Sequence, residues 1–386
     1  MSAPRGLRLA PHLVVASVGY VLFAYAAVPG VLMDELGVGF AAFGLLMSAA
    51  LGAFVVAQAP TSRLLDRRGA TELLLYGTLV HAVLAVALDF ATTFGTLLAL
   101  RFLWGLTGGF VLSVGATQIS RLATGGTATR EQGIYGGMLT LGGAIGFLAA
   151  PTLVTVPVGL NALGGVLALP GLALLWRHRS TDATSPTADP AATDSVRRVL
   201  THPTVVVASL CYVAVIASYI TLSTFITAYY ADIGVVGPLN AAVLLMATLG
   251  RAFGGTIVWS WPVGDEGLLA GSTAVGAVGF GVLALGSGSA LLLALPLVAM
   301  VAVSLPFGAT YALATRETDR EGTAIATMVA AGNVAALVVP ALTGALRDAM
   351  GSYTGGFLVL AALNLVALAG VAVLVVPRWS LTEASV

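Results

Sequence analysis

The chain has 386 residues, of which 58% are hydrophobic and 9% are charged, whereas charged residues make up about 25% of an average soluble domain. Its 17 basic and 17 acidic side chains cancel to a formal net charge of zero, which gives no reason to expect nucleic acid as a partner. The single cysteine, Cys211, lies in an apolar run and supports neither a disulfide framework nor a cysteine-based metal site. Composition therefore disfavours a soluble enzyme, a disulfide-rich secreted protein and a DNA-binding protein.

Twelve apolar segments follow one another along the chain, and each is long enough to cross a hydrocarbon core as a helix. They lie at approximately residues 12–33, 38–62, 72–93, 95–118, 132–153, 156–176, 204–228, 238–260, 267–286, 289–312, 323–345 and 354–376. The runs are continuously apolar instead of alternating, and a backbone in lipid must satisfy its own polar groups, so helices are favoured over a β-barrel. The sequence predicts an all-α integral membrane protein with 12 transmembrane helices.

The arginines predict the orientation, because cytoplasmic loops of membrane proteins carry an excess of positive charge. There is no lysine, and 14 of the 17 arginines fall on one side of the predicted membrane. These are Arg5, Arg8, Arg63, Arg67, Arg68, Arg121, Arg130, Arg177, Arg179, Arg197, Arg198, Arg316, Arg320 and Arg378. Arg347 falls in a loop on the other side, while Arg101 and Arg251 lie within spans. We therefore expect a multi-pass protein of the plasma membrane with both termini in the cytoplasm.

A polar segment divides the twelve spans into two sets of six. Residues 180–195 are rich in Thr, Asp, Ala and Pro and offer almost nothing to bury, which is typical of a flexible linker. Short motifs recur at equivalent positions in the two sets: Leu45-Leu46-Met47 as Leu244-Leu245-Met246, and Arg130-Glu131 as Arg320-Glu321. We therefore predict two pseudo-symmetric six-helix bundles, residues 1–179 and 203–386, joined by a cytoplasmic linker at 180–202.

The loop after the second span contains Asp66, Arg67 and Gly69. This pattern resembles the signature between the second and third helices of the major facilitator superfamily: Gly, three residues, Asp, a basic residue, one residue and Gly. Ser62 replaces the first glycine, and the basic pair that follows in the family is missing. An acidic residue at this helix end can accept hydrogen bonds from the other half in one conformation and lose them in another. The resemblance implies a conformational switch at Asp66, Arg67 and Gly69; the alternative is a solvated, positively charged loop.

Two arginines lie within spans, where a cation costs about 2.5 to 3.5 kcal/mol, so each is expected to face a cavity or an acceptor. Arg101 is followed four residues later by Gly105, which resembles the fourth-helix motif of the superfamily and implies a role in coupling or substrate contact. Arg251 lies in a glycine-rich run of the eighth span, similar to the helix-8 arginine of nitrate, nitrite and cyanate-type carriers. Those porters carry a second arginine in helix 2. The corresponding position here is near Gln58, so this partner arginine is missing. An arginine fork suits a planar anion; the alternatives are an interhelical salt bridge or bonds to backbone carbonyls.

Proton coupling has two candidates in the third span. His81 lies near the middle of this span and Asp89 near its outer end. A neutral, hydrogen-bonded imidazole is the alternative for His81, and Asp89 could simply reach water. No span has an unmistakable carboxylate at its midplane, where proton-driven carriers often place one. Proton coupling and uniport are therefore equally compatible with the sequence.

The resemblance implies a central cavity lined by helices 1, 4, 7 and 10. Aromatic and hydroxyl side chains on these helices suit a small amphiphilic solute. The candidates are Tyr20, Phe23, Tyr25, Arg101, Trp104, Tyr212, Tyr219, Thr221, Ser223, Phe307 and Tyr311.

We predict a secondary active transporter that moves a small solute by alternating access. No nucleotide-binding loop is present, and four scattered histidines do not make a membrane-embedded active site. We therefore expect no enzymatic activity, cofactor or metal. The arginines favour a small organic or inorganic anion, whereas the aromatic, charge-poor cavity suits proton-coupled efflux of hydrophobic compounds. The expected partners are the solute, the lipid bilayer and, in a coupled mechanism, protons; we expect a monomer that binds no nucleic acid.

Overall fold

The structure is a computed structural model that describes residues 4–65, 67–122, 127–180, 196–235, 237–260, 264–286, 291–318 and 321–383. Within these ranges the chain is helical and forms no β-strand. The helices are α1 (Arg5–Phe23), α2 (Pro29–Leu36), α3 (Phe40–Leu65), α4 (Ala70–Leu88), α5 (Phe94–Leu122), α6 (Thr127–Leu153), α7 (Ala162–Arg177), α8 (Val196–Thr201), α9 (Pro203–Asp232), α10 (Leu239–Ser260), α11 (Gly264–Leu285), α12 (Leu291–Ser304), α13 (Phe307–Thr315), α14 (Glu321–Met350) and α15 (Thr354–Glu383).

Every predicted apolar segment contains helix. In the parts of the chain that the structure describes, 10 helical segments are long and apolar enough to cross a bilayer. Two shorter apolar helices, Ala162–Arg177 and Leu239–Gly254, match the sixth and eighth predicted spans. Length and hydropathy are local properties, so the sequence locates these helices well.

Two predicted spans are broken in the structure. The first, predicted over 12–33, consists of α1, a 3-10 turn at Ala24–Ala27 and α2, which has Pro29 at its first position. The tenth, predicted over 289–312, consists of α12, which ends at Ser304, and α13, which begins after Pro306. Proline lacks an N–H and its ring clashes with the carbonyl one turn earlier, which accounts for the break before α13. In the first span the α-helix ends at Phe23, where no proline stands, and Pro29 begins α2. Each of these two spans therefore contains an interruption of the α-helix, and each still counts among the segments long and apolar enough to cross a bilayer.

The helices form two groups, the first half (α1 to α7) and the second half (α9 to α15), which meet along two helix pairs, α3 with α14 and α6 with α10. Glycine permits the first of these contacts. A Cβ atom on Gly44 would lie 2.7 Å from the carbonyl oxygen of Pro340, and one on Gly344 would overlap the carbonyl of Phe40. A side chain at either glycine would push α3 and α14 apart.

Part of the predicted linker is a packed helix. Helix α8 lies inside the range 180–202, and its Val199 is buried with Val205 of α9 and Ala324 of α14. Residues 181–195 lie outside the described residues. The end of the predicted linker is therefore held by apolar contacts, and the boundaries at 179 and 203 stay predictions.

Aromatic rings from both halves meet at the end of the bundle where α1 ends and α3 begins. Ring centroids lie 5.0 Å apart for Tyr25 and Phe43, 6.2 Å for Phe43 and Phe225, and 5.8 Å for Phe225 and Tyr353. Phe40 lies 6.0 Å from Tyr353. Rings at these separations attract one another. We call the end marked by these five residues the distal end, and the opposite end, where α1 begins, the proximal end.

A carboxylate of the second half also binds the first half at the distal end. Asp348 of α14 accepts backbone N–H bonds from Phe40, at 3.0 Å, and Ala41, at 2.8 Å. These are among the first N–H groups of α3, which have no partner within their own helix and lie at the positive end of its dipole. Next to Asp348, Arg347 pairs with Asp232 at 2.8 Å and lies 4.9 Å from the Phe40 ring centroid. Charge and aromatic contacts therefore hold the distal end closed in this structure.

Candidate functional site

Arg251, in the middle of α10, is the best candidate for a solute contact. Its side chain is buried, with 7% of the residue exposed. The guanidinium carbon lies 4.5 Å from the ring centroid of Tyr219 and 4.6 Å from that of Phe307. Nη1 donates a hydrogen bond of 3.0 Å to the carbonyl oxygen of Gly136 on α6. The Nε–H is buried and finds no hydrogen-bond partner among the residues that the structure describes.

Two further tyrosines extend the site. The hydroxyls of Tyr212 and Tyr311 lie 3.5 Å apart, and the ring of each packs against Phe307, with centroids at 6.0 and 5.4 Å. We call Arg251, Tyr212, Tyr219, Phe307 and Tyr311 the Arg251 cluster. The Tyr219 hydroxyl is buried and unpaired in the described structure. The cluster thus combines apolar ring faces with one cation and unused polar atoms.

In the part of the chain that the structure describes, the charge of Arg251 lacks a counter-ion. Among the ion pairs found within the described ranges, none includes Arg251. A buried cation is costly unless it is paired or hydrogen-bonded, and the faces of two aromatic rings offset only part of that cost. An anion that reached the guanidinium would supply the missing charge.

The cluster lies between the halves. Gly136 of the first half faces it, since a Cβ atom there would lie 3.6 Å from Phe307 and 3.7 Å from Nη1 of Arg251. Phe23 of α1 packs edge-on against Tyr219, with centroids 5.6 Å apart. One turn along the same interface, the hydroxyls of Thr140 on α6 and Thr248 on α10 lie 2.6 Å apart.

Arg101 is fully committed to the first half. Only 1% of it is exposed, and it donates to the carbonyl oxygens of Val21, at 3.0 Å, Leu22, at 3.1 Å, and Leu46, at 3.2 Å. Because α1 ends at Phe23, the carbonyls of its last turn lack their regular helical partners. A cation at this negative end of the helix is favourable. Arg101 of α5 therefore ties α1 to α3.

Tyr25 and Trp104 surround Arg101 instead of joining the Arg251 cluster. The guanidinium carbon of Arg101 lies 4.3 Å from the Tyr25 centroid and 5.5 Å from the Trp104 ring. The Trp104 indole N–H donates to Nδ1 of His81 at 3.1 Å. We call Arg101, Tyr25, Trp104 and His81 the Arg101 cluster.

The contacts of His81 assign its tautomer. Nδ1 accepts from Trp104, an indole N–H that can only donate. The Ser17 hydroxyl lies 2.8 Å from Nε2 and donates its own proton to the carbonyl of Gly164, so Nε2 carries the hydrogen. His81 is thus a buried, neutral imidazole with both nitrogens satisfied. A second proton on Nδ1 would break the bond from Trp104.

Asp89 and Tyr20 both bind the start of α7. Asp89 accepts from the backbone N–H and the amide of Asn161, both at 2.8 Å, and from the N–H of Ala162 at 2.9 Å. The Tyr20 hydroxyl donates to the carbonyl of Leu160 at 2.9 Å. Asp89 therefore occupies the positive end of the α7 dipole, and Tyr20 faces α7 and not the Arg251 cluster.

Of the signature loop, Asp66 lies outside the described residues. Arg67 is exposed, and Gly69 is the residue before α4. In the second half, Arg316 pairs with Asp265 at 3.4 Å and with Glu266. Its hydrogen bond to Glu266 is the main reason that the pKa of Arg316 is raised above its usual value.

The structure therefore separates the residues predicted to bind the solute or a proton into three places. Arg251, Tyr219 and Tyr311 lie together, Arg101, Tyr25, Trp104 and His81 form a second cluster, and Tyr20 and Asp89 lie at α7. Sequence analysis missed Gly136, whose contact with Arg251 depends on the rotation of α6. It also missed that Asp348 caps the start of α3. The signal in the sequence was an acidic residue near the end of the eleventh predicted span, on the side of the membrane where the second span begins.

A family model described as the Major Facilitator Superfamily matches residues 10–318, which is most of the chain.

The chain belongs to the major facilitator superfamily.

Solved structures share the fold of this superfamily member. One is a bacterial homologue of the human lysosomal transporter Spinster in an inward-facing and occupied conformation, with a TM-score of 0.72, 14% identity, and 95% of each chain covered. The unoccupied inward-facing form of a bacterial Spinster homologue gives a TM-score of 0.71 and 15% identity, with 96% of this chain and 97% of that one covered. No curated protein sequence matches the chain.

Family and fold together establish the general activity. The protein is a multi-pass membrane protein and a secondary transporter that moves a small-molecule solute by alternating access, and it is not an enzyme. The Arg251 cluster lies between the two halves of this fold, where it contacts Gly136 of α6 and Phe23 of α1.

Proposed function

We propose that this transporter carries a small organic or inorganic anion and that Arg251 binds it. One observation carries the proposal: a buried guanidinium between the two halves has no carboxylate partner within the described residues and an unused Nε–H. Hydrogen bonds from a charged donor to an anion are roughly twice as strong as neutral ones. In a dry aromatic site the anion and Arg251 would neutralise each other.

The Arg251–Gly136 bond gives anion binding a way to affect conformation. This bond crosses from α10 to α6 and therefore exists only while these helices are close. An anion that draws the guanidinium toward itself competes with the Gly136 carbonyl. A ligand shifts a conformational equilibrium only through such a difference in affinity between states.

Ligand-induced stabilisation of the protein in liposomes tests this proposal. We would measure the thermal unfolding midpoint across a panel of small anions and lipophilic cations, for the parent, Arg251→Gln and the control Arg5→Gln. Arg5 is exposed at the start of α1. We expect an anion-selective rise in the midpoint that Arg251→Gln removes and Arg5→Gln keeps; at 100 times its Kd a ligand contributes about 2.7 kcal/mol. Stabilisation by lipophilic compounds alone, unchanged in Arg251→Gln, refutes anion transport.

Proton-coupled efflux of hydrophobic compounds is the second candidate. The four aromatic rings of the Arg251 cluster suit a hydrophobic solute. Arg101 donates to backbone carbonyls, so it does not offer a second cation to an anion. Efflux requires a proton site, and we propose His81 and Asp89 for it. Protonation of either would break bonds to Trp104 or α7 and so alter the packing of the first half. An imposed pH gradient should drive solute flux in the parent and not in His81→Gln or Asp89→Asn, which would support proton coupling. Flux in the parent that does not change with the pH gradient would refute it.

We propose a conformational switch at Asp66, Arg67 and Gly69 on the basis of their match to the family signature. The arginine distribution further supports a plasma-membrane protein whose proximal end and termini face the cytoplasm. Cysteine labelling of intact cells tests the orientation, in a background where Cys211 is replaced by alanine. An impermeant maleimide should label Asp34→Cys, at the distal end of α2, and reach Arg5→Cys only after lysis. Labelling of Arg5→Cys in intact cells would contradict a cytoplasmic N-terminus and indicate the opposite orientation.

A further inference from the structure

The free part of Arg251 is one edge of a planar group. A guanidinium has five N–H donors in a plane. Nη1 is bonded to the Gly136 carbonyl, and the rings of Tyr219 and Phe307 lie over the guanidinium carbon at 4.5 and 4.6 Å. The Nε–H, which has no partner among the described residues, lies on the edge that it shares with Nη2. This edge presents two parallel N–H groups, the geometry that a carboxylate matches with its two oxygens.

Charge balance limits the ligand to one negative charge. Arg251 is the one cation of its cluster, and no ion pair within the described ranges includes it. A monoanion would leave the site neutral. A dianion, such as a phosphate ester at neutral pH, would leave an unpaired negative charge among aromatic rings, which is unfavourable in a desolvated site.

The surroundings of Arg251 suit an apolar body. Tyr212, Phe307 and Tyr311 pack within 6.0 Å of one another, ring centroid to ring centroid. Aromatic surfaces in binding sites hold apolar or aromatic ligand groups, while a few polar atoms fix the orientation.

From these three features we infer that the solute is a monocarboxylate with an aromatic or other apolar body. Its two oxygens accept from Nε and Nη2 of Arg251, and its body packs against Phe307 and the two neighbouring tyrosines. This inference rests on the proposed anion function and narrows it to one chemical class.

A set of shape-matched probes tests the inference: benzoate, benzamide, phenylphosphonate at a pH where it is a dianion, acetate and nitrate. We would measure the concentration of each that half-maximally stabilises the full-length protein in liposomes, and the uptake of labelled benzoate. We expect benzoate to bind best and benzamide not at all. Phenylphosphonate should bind about tenfold or more weakly because its second negative charge is unpaired, and acetate about tenfold or more weakly because it lacks the ring that packs against Phe307.

Two variants make the test specific. Arg251→Lys keeps the charge but not the two-donor edge, so benzoate should bind about tenfold more weakly, whereas the exposed control Arg5→Lys should match the parent. If Arg251→Lys does not fold, Phe307→Leu keeps the edge and removes a ring, and should reduce the preference for benzoate over acetate.

The outcomes separate this inference from the proposed function. Equal binding of benzoate and phenylphosphonate, or binding of nitrate without any carboxylate, overturns the monocarboxylate class but leaves anion transport in place. Stabilisation by no anion at all overturns both.

Discussion

Replacing Asp348 with asparagine should shift the protein away from the conformation seen here. The carboxylate accepts the N–H groups of Phe40 and Ala41, at 3.0 and 2.8 Å, and so joins α14 to the start of α3. Asparagine offers one acceptor oxygen and turns its amide N–H₂ toward the second N–H donor. The variant therefore loses one charge-assisted bond and the favourable negative charge at the positive end of the helix dipole. It also places an amide N–H₂ donor against a backbone N–H donor.

The expected size of this shift follows from the contacts. A hydrogen bond to a charged group contributes about 1.5 to 3 kcal/mol when buried, and a charge at a helix end about 0.3 to 1 kcal/mol when exposed. Because Asp348 lies at an exposed edge, we expect about 1 to 2 kcal/mol, which reduces the ratio of distally closed to distally open molecules by about 5- to 30-fold.

Distances between spin labels on the two halves can measure this ratio. In a background with Cys211→Ala, Val31→Cys on α2 and Met350→Cys at the end of α14 place one label on each half; both positions are exposed. Asp348→Asn should add or enlarge a population with a longer distance. Asp34→Asn, an exposed acid on α2, is the charge-matched control and should leave the distribution unchanged. An identical distribution in Asp348→Asn and the parent, with both variants folded, would refute the reasoning.

Further substitutions test the packing of the first half. Gly142→Ala should lower the thermal midpoint in detergent, because its Cβ would overlap the carbonyl of Ala16, and overpacking typically costs about 1 to 3 kcal/mol; Gly271→Ala, with open space around it, should leave the midpoint unchanged or raise it. An unchanged midpoint in Gly142→Ala would show that α1 and α6 separate easily. Trp104→Phe should destabilise the protein by about 1 to 3 kcal/mol because it leaves Nδ1 of His81 buried without a donor; a midpoint equal to that of the parent would mean that water replaces the indole.

The apolar segments and the family were predictable because they depend on local properties. Length, hydropathy and the spacing of Asp66, Arg67 and Gly69 can be read without knowing which helices touch. The break at Pro306 was also visible in the sequence, yet the apolar run continues across it, so the segment was predicted as one helix. The break after Phe23 carries no proline at the point where the helix ends.

The partners of the buried arginines were not predictable, because they depend on tertiary structure. Arg101 could be expected to need acceptors, but the carbonyls of Val21 and Leu22 become available only because α1 ends at Phe23. Arg251 bonds to the Gly136 carbonyl, 115 positions away in the sequence. The glycine itself has no side chain that could have marked it as a partner.

The paired hydroxyls of Thr140 and Thr248 have a consequence for the movement of the halves. Besides contacting each other at 2.6 Å, each hydroxyl has an acceptor within its own helix, Gly137 at 2.8 Å and Leu244 at 3.0 Å. When α6 and α10 slide past each other, both threonines can turn back to these carbonyls, so no polar atom is stranded in the apolar interface. The two threonines therefore leave no unpaired hydroxyl when this contact changes, whereas the Arg251–Gly136 bond at the same contact has to break.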